Sequence, residues 1–211
     1  MVHSGRPVMA QAFDELSGRY DDAYHDEIAR ALIGFGAVLP AQSVVDVACG
    51  TGAVALAVAD ERIRRGGGAP VLAVDLSAGM VKAGQERAIR LGLTTAITWI
   101  IADAVPLPVA DRSMDVLLCA YSLHFLGSRA LEDWLRVLRP GGRAGFTLPL
   151  ASQFRPGGVF ADLVATDLRL PETAEDGRRL AEHAGFAHTA AQTVTVGSRT
   201  VVLVTGEAPA T

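Results

Sequence analysis

The stretch Val44-Val45-Asp46-Val47-Ala48-Cys49-Gly50-Thr51-Gly52 sets one carboxylate inside an apolar run and then breaks into small residues. An apolar run of this length, bounded by glycine, suits a buried strand. Gly50-x-Gly52-x-x-Ala55 opening a helical pattern suits a turn whose backbone lets a ligand come close. The free N–H groups of a helix start accept an anion, a pyrophosphate or a carboxylate alike. Asp46 discriminates between them. At the carboxyl end of the strand it repels a pyrophosphate and favours a ligand bringing an ammonium or sulfonium. The other role open to Asp46 is structural, accepting backbone N–H groups of the turn, because buried charges are paired.

Two further acids follow the same plan. Asp75 closes the run Val71-Leu72-Ala73-Val74, close to the roughly 20-residue spacing at which an acid meets both hydroxyls of a ribose. Its plainer role is to start a loop before a helix capped by Ser77. Asp103 follows Ile97-Thr98-Trp99-Ile100-Ile101. There a carboxylate can accept the amino hydrogens of adenine while the Ala104 N–H addresses a ring nitrogen. Acids after three successive strands converge where open α/β sheets bind ligands. A ligand with a cationic end, a ribose and an adenine is S-adenosylmethionine.

His124, just past a fourth strand, stands where a base would face a transferred methyl, and imidazole is the usual base near neutral pH. Its alternative role is to line the adenosine pocket or cap the strand end. Tyr121 and Ser122 flank the same place, within reach of cofactor or acceptor. His25, His183 and His188 form no cluster, and no His/Cys/Asp spacing suggests a metal, so none is expected.

The elements that must position these residues alternate. Strands are expected at 43–48, 70–75, 96–101, 114–121 and 143–150, with helices from about 53, over 77–92 and over 128–138. Such alternation predicts a mostly parallel sheet with helices on both faces. A leading segment, 1–40, reads as helix broken near Gly18, with Ile28, Leu32 and Phe35 on one face and Pro40 as its stop. After residue 150, a box from Thr173 to Asp176 opens a helix closed by Gly185. Two β-rich runs around Gly197-Ser198 then form a hairpin, which requires an antiparallel strand. The 211 residues suit one domain: a helical cap at 1–40, a cofactor-binding core at 41–150, and an acceptor-side segment, helix and closing hairpin at 151–211.

A net charge of −4 offers no basic face for nucleic acid, and Arg62, Arg64 and Arg65 read as a solvated helix end. Cys49 and Cys119 read as buried small residues, which suits a reducing interior. No secretory leader or membrane span is apparent, and the expected location is the cytoplasm.

From about Phe13 to Gly206 the sequence resembles the class I S-adenosylmethionine-dependent methyltransferases. It is most similar to the small-molecule branch that includes the ubiquinone and menaquinone biosynthesis methyltransferases. The resemblance rests on VVDVACGTG, VDLSAGMV, ADAVPLP and MDVLLCAYSLHFL, then on LRVLRPGGRAGF as helix, Pro-Gly-Gly turn and fifth strand, and on LAEHAGF before the hairpin. It implies a Rossmann-like, doubly wound sheet of seven strands, mostly parallel, with the last antiparallel. It implies that Asp46, Gly50 and Gly52 hold the methionine portion and Asp75 the ribose. Leu76 and Met80 would pack on the adenine, and Asp103 with Ala104 would read its edge. Tyr20, in FDELSGRY, would close over the cofactor near its charged end, or else pack between helices. Ala48 stands where the family's first turn residue is glycine, a departure that is tolerable while its φ stays negative.

The resemblance implies in-line methyl transfer to a small-molecule acceptor, with S-adenosylhomocysteine as the other product. The acceptor would lie between the N-terminal helix and residues 149–171, where Phe154, Val159, Phe160, Leu163, Arg155 and Arg169 stand. Oxygen, nitrogen and carbon all stay open as the methylated atom, and the oligomeric state is open too. Two other readings share parts of this pattern. One is a protein of this fold that binds the cofactor but transfers no methyl; the other, opposed by Asp46, Asp103 and the hairpin, is a nicotinamide-dependent oxidoreductase.

Overall fold

The computed structural model describes residues 5–20, 22–36, 38 and 42–210. A sheet of seven strands runs through the molecule: β1 Val44–Val47, β2 Val71–Asp75, β3 Ile97–Ile101, β4 Met114–Cys119, β5 Leu138–Pro149, β6 Ala187–Val196 and β7 Arg199–Glu207. Their order is β3-β2-β1-β4-β5-β7-β6, with β7 antiparallel to both of its neighbours and the remaining pairs parallel. This is the doubly wound Rossmann-like arrangement expected from the sequence. Strand order reverses between β1 and β4, so a crevice opens beyond their carboxyl ends.

The helices are α1 Gly5–Leu16, α2 Asp22–Gly36, α3 Ala53–Arg64, α4 Ala78–Arg90, α5 Leu123–Leu126, α6 Arg129–Val137, α7 Val159–Leu163 and α8 Ala174–His183. A short 3-10 turn, Ser17–Arg19, separates α1 from α2 at the expected break near Gly18. Ile28 and Leu32 are fully buried, while Pro40, the expected stop, lies outside the described residues.

Period-2 alternation divides the core between the two sheet faces. Val45, Val47, Leu117 and Phe146 pack with Trp134 and Leu131 of α6. Val44, Val116, Leu118 and Leu203 pack with Ile28 and Leu32 of α2 and Val54 of α3.

Local chemistry sets the ends of the elements. The Ser77 hydroxyl accepts the Met80 N–H at 3.0 Å as the cap of α4. Thr173 and Asp176 form a reciprocal capping box on α8. The hairpin closes with Val196 paired to Arg199 and Gly197 at φ +58, the positive first position of a two-residue loop. One expectation needs correction. Pro140-Gly141-Gly142 is not a turn ahead of the fifth strand but a bulge within it: Met114 pairs with Leu138 and Val116 with Arg143, which leaves the intervening residues looped out.

Trp99 of β3 wedges between the glycine turn and α4. A Cβ on Gly52 would lie 2.4 Å, and one on Gly84 2.5 Å, from its ring. Gly84→Ala should therefore cost about 1–3 kcal/mol in urea unfolding, as overpacking does. In a Trp99→Ala background most of that cost should disappear, leaving the tight contact of the added Cβ with the Thr51 carbonyl oxygen at 3.1 Å to offset alanine's better helix propensity.

Candidate functional site

The turn after β1 reverses through left-handed backbone at Ala48 (φ +51), Gly50 (φ +54) and Gly52 (φ +81). Carboxylates from two strands hold it. Asp46 Oδ2 accepts the Ala55 N–H at 3.0 Å, and Asp75 Oδ2 accepts the Gly50 N–H at 2.7 Å. Asp75 Oδ1 also accepts the Ser77 N–H at 2.8 Å. Ala48 does not meet the condition of negative φ under which an alanine is easily tolerated, because a tight reversal between strand and helix needs the left-handed region at this position as well as at the two glycines.

Beyond the strand ends lies a cavity of about 280 Å³. Ala48, Gly50 and Asp75 line it, Leu76, Met80 and Ala104 supply apolar wall, and Asp103 stands at another edge. Asp103 Oδ1 accepts the Val105 N–H at 3.0 Å, while its other oxygen pairs with Arg6, whose guanidinium also donates to the Val105 carbonyl at 2.6 Å. Carboxylate oxygens carry two lone-pair sites each. Asp75 and Asp103 therefore keep acceptor capacity toward the cavity. Among the described residues the charged part of the wall is mainly acidic, with Asp75, Asp103 and Asp162 against Arg6.

Asp46 and Gly52 do not line this cavity. Asp46 is 1 % exposed, beneath the turn, where its bond to Ala55 is the structural role left open by the sequence. Burial pushes its carboxyl up to about 8, against the lowering effect of the Ala55 N–H. The absent side chain of Gly52 makes room for Trp99. Tyr20 lies at the rim, its hydroxyl 3.6 Å from where a Gly50 Cβ would be and its ring stacked on His25 at 4.3 Å. Burial and the nearby Asp75 raise its phenol well above the ordinary value, so it stays neutral.

A second cavity, about 350 Å³, adjoins the first and shares Phe13, Tyr20, Ser122 and Phe125 with it. Its walls are aromatic: Phe13 meets Phe160 at 5.2 Å between ring centroids, and His124 meets Phe125 at 4.2 Å and Phe154 at 4.8 Å. Tyr121 belongs to this cavity rather than the first. Its backbone takes φ +59, and its N–H is held by Thr147 Oγ1 at 2.7 Å. His124 is 1 % exposed, and neither ring nitrogen has a hydrogen-bond partner. Burial lowers it to about 3, so the ring is neutral at physiological pH. Leaving a buried polar group unpaired costs about 1–3 kcal/mol, and a ligand that bonds to it recovers that cost.

Of the residues read from the 149–171 segment, Phe154, Arg155 and Phe160 line the second cavity and Leu163 the first. Val159 is 42 % exposed, and Arg169 lines a separate cleft with Glu172 and His183.

Three positioning groups escaped the sequence reading. Arg6 reaches Asp103. Asp14 accepts from the Ser77 hydroxyl at 2.5 Å and the Gly79 N–H at 2.7 Å, which docks α1 on the start of α4. Arg87 bonds both oxygens of Asp26 at 2.7 Å and reaches Asp22 and Thr51, tying α2 and α4 to the turn. The only local signal for any of them was an excess of acids in the leading segment. A larger groove of about 770 Å³ between α2, α3 and α4 touches none of the strand-end acids. Among the described residues no group of three or more His, Cys, Asp or Glu is placed to hold a metal, and no helix is long and apolar enough to cross a membrane.

Residues 44–142 match a methyltransferase domain family. The chain is 32% identical over 160 residues to a demethylmenaquinone methyltransferase of Renibacterium salmoninarum, covering 70% of this chain and 62% of that one. It is 32% identical over 137 residues to a ubiquinone/menaquinone biosynthesis C-methyltransferase of Dinoroseobacter shibae, covering 64% and 53%. The matched region thus spans 62% and 53% of these two relatives. In fold it is similar to a SAM dependent methyltransferase from Aquifex aeolicus, with a TM-score of 0.67 at 19% identity over 94% of this chain and 97% of that one.

Two measurements follow from the turn. The raised carboxyl of Asp46 contributes stability that is present below its ordinary value of 3.8 and is lost as pH rises through about 8. Asp46→Asn should therefore flatten the decline in denaturant stability between about pH 4 and 8. Ala48→Gly should relieve left-handed strain and raise stability by up to about 1 kcal/mol by urea unfolding, the remainder being offset by glycine's greater unfolded-state freedom.

Proposed function

Because the chain belongs to the class I S-adenosylmethionine-dependent methyltransferases, related to the enzymes of ubiquinone and menaquinone biosynthesis, we propose that it holds that cofactor in the 280 Å³ cavity and methylates a small molecule seated in the adjoining one. The observation that carries this reading is the shared wall of Phe13, Tyr20, Ser122 and Phe125. It separates an acidic chamber from an aromatic one, so two ligands can meet end to end. When bound, the cofactor would supply an activated methyl group, with its sulfonium sulfur as the leaving atom.

The residues that fit the cofactor do so by chemistry. Asp75 offers lone pairs to a ribose diol and Asp103 to an adenine amino group, where Arg6 must share the carboxylate or give way. Leu76 and Met80 supply apolar contact for the base, and the Ala104 backbone its edge. The left-handed turn at Gly50 brings bare backbone to the chamber. Asp46 acts from below by holding Ala55 and adds negative charge once ionised. Tyr20 shields the passage between the cavities, where its ring face favours a cation. His124, neutral and unpaired, suits accepting a hydrogen bond from the acceptor's hydroxyl and so orienting the nucleophile. With so low a proton affinity it orients more than it abstracts, and the acceptor's proton leaves to solvent. Two buried thiols without a disulfide are consistent with action in the cytoplasm.

Isothermal titration of S-adenosylhomocysteine into wild type and Asp75→Ala, with NADH as control, tests the reading. Binding that weakens by about 1–3 kcal/mol in the variant, as expected when hydrogen bonds to the ligand are lost, supports it. Absence of adenosyl binding, or tight binding of NADH, overturns it. Circular dichroism of the variant checks that the fold survives.

A further inference from the structure

The second cavity differs in charge from the rest of the molecule. The chain carries a net charge of −4, yet among the described residues no Asp or Glu lines this cavity, while Arg155 and Arg199 both do. Neither guanidinium has a carboxylate partner among the described residues. Arg155 donates to the carbonyls of Ala151 and Phe154, at 3.2 and 2.7 Å. Arg199, the first residue of β7, lies 5.3 Å from the centroid of the Tyr24 ring. The two are held on one rim, because Gln153 Oε1 accepts the Thr200 N–H at 2.8 Å and ties the loop carrying Arg155 to the strand carrying Arg199.

Below that rim the walls are Phe13, Phe154 and Phe160, and deeper lies His124 with both ring nitrogens unpaired. Cations at the mouth, aromatic rings along the sides and an unpaired imidazole form a gradient that one ligand chemistry satisfies. The volume, about 350 Å³, sits at the small end for ligand pockets.

We propose that the acceptor is a small aryl acid: a hydroxylated ring held among Phe13, Phe154 and Phe160, with its anionic substituent at Arg199 and Arg155 and its hydroxyl bonded to His124. The inference rests on the second cavity being the acceptor site of the proposed methyltransferase. It narrows that site to an anionic ligand, set by charge complementarity across the rim. An apolar ring with a neutral substituent would leave both guanidinium groups without an anionic partner.

The test uses the full chain loaded with S-adenosylhomocysteine and matched pairs of probes: 4-hydroxybenzoate, 3,4-dihydroxybenzoate and 4-hydroxycinnamate, each against its methyl ester. Calorimetric affinities should favour at least one acid over its ester by about tenfold, the order of one charge-assisted hydrogen bond at a partly exposed rim. Arg199→Met should bring that ratio to within about threefold, and Arg199→Lys should restore part of it, because lysine keeps the charge without the fork. If no acid binds better than its ester, or if the preference survives Arg199→Met combined with Arg155→Met, the proposal is wrong. S-adenosylhomocysteine is titrated first into the same preparation. Its failure to bind overturns the methyltransferase reading, whereas its binding with no acid preference overturns the acceptor class alone.

Discussion

Two buried carboxylates pin one left-handed turn, and the rest of the site is arranged around that fact. Asp46 from β1 and Asp75 from β2 reach the backbone N–H groups of Ala55 and Gly50, so neighbouring strands clamp the segment that joins β1 to α3. Backbone N–H groups at a helix start need partners or solvent. Supplying them from strand ends fixes the turn against the sheet rather than leaving it to loop flexibility. Trp99 then fills the space that Gly52 and Gly84 leave, and Arg87 ties Asp22, Asp26 and Thr51 to the same corner. The consequence is a rigid floor with two oxygen-rich edges on which a polar ligand finds its acceptors already oriented.

The charge pattern follows from how the chain is folded over this floor. Asp75 closes β2 and Asp103 follows β3, so both reach the crevice beyond the strand ends, whereas Asp46, inside β1, stays beneath the turn. Arginines cluster where the hairpin tip and the loop after β5 meet. One cavity is therefore acidic and its neighbour cationic, with a wall of Phe13, Tyr20, Ser122 and Phe125 between them. Low-dielectric aromatic walls strengthen both fields. The two chambers thus carry fields of opposite sign on either side of one wall.

Much of this was legible in the sequence. Hydrophobic runs, capping residues and the Gly197-Ser198 loop marked the alternating elements and the antiparallel close. The acids after β2 and β3 were identifiable because strand ends in open α/β sheets are binding positions whatever the ligand. What escaped detection depended on contacts between distant segments. Gly52 looked like a ligand-approach glycine, but the bulk beside it is a tryptophan from β3, which no local pattern can reveal. Arg6 and Asp14 lie in a segment whose period shows only a helix, and their partners Asp103, Ser77 and Gly79 are distant in sequence. Ala48 takes a positive φ, the conformation that the sequence reading marked as unfavourable for an alanine there, because reversal geometry overrides its propensity. Tyr121, which the sequence placed within reach of cofactor or acceptor, lines the second cavity, because its own left-handed backbone after β4 redirects the chain.

Helix α1 sends Met9 and Ala10 to one chamber, Leu16 to the other and Phe13 to both, while Asp14 docks it on α4 and Arg6 on Asp103. A single rigid element thus forms part of two enclosures. Any displacement of α1 that widens one alters the other. Both enclosures therefore depend on the docking of one helix, and loss of its hold would open both rooms together.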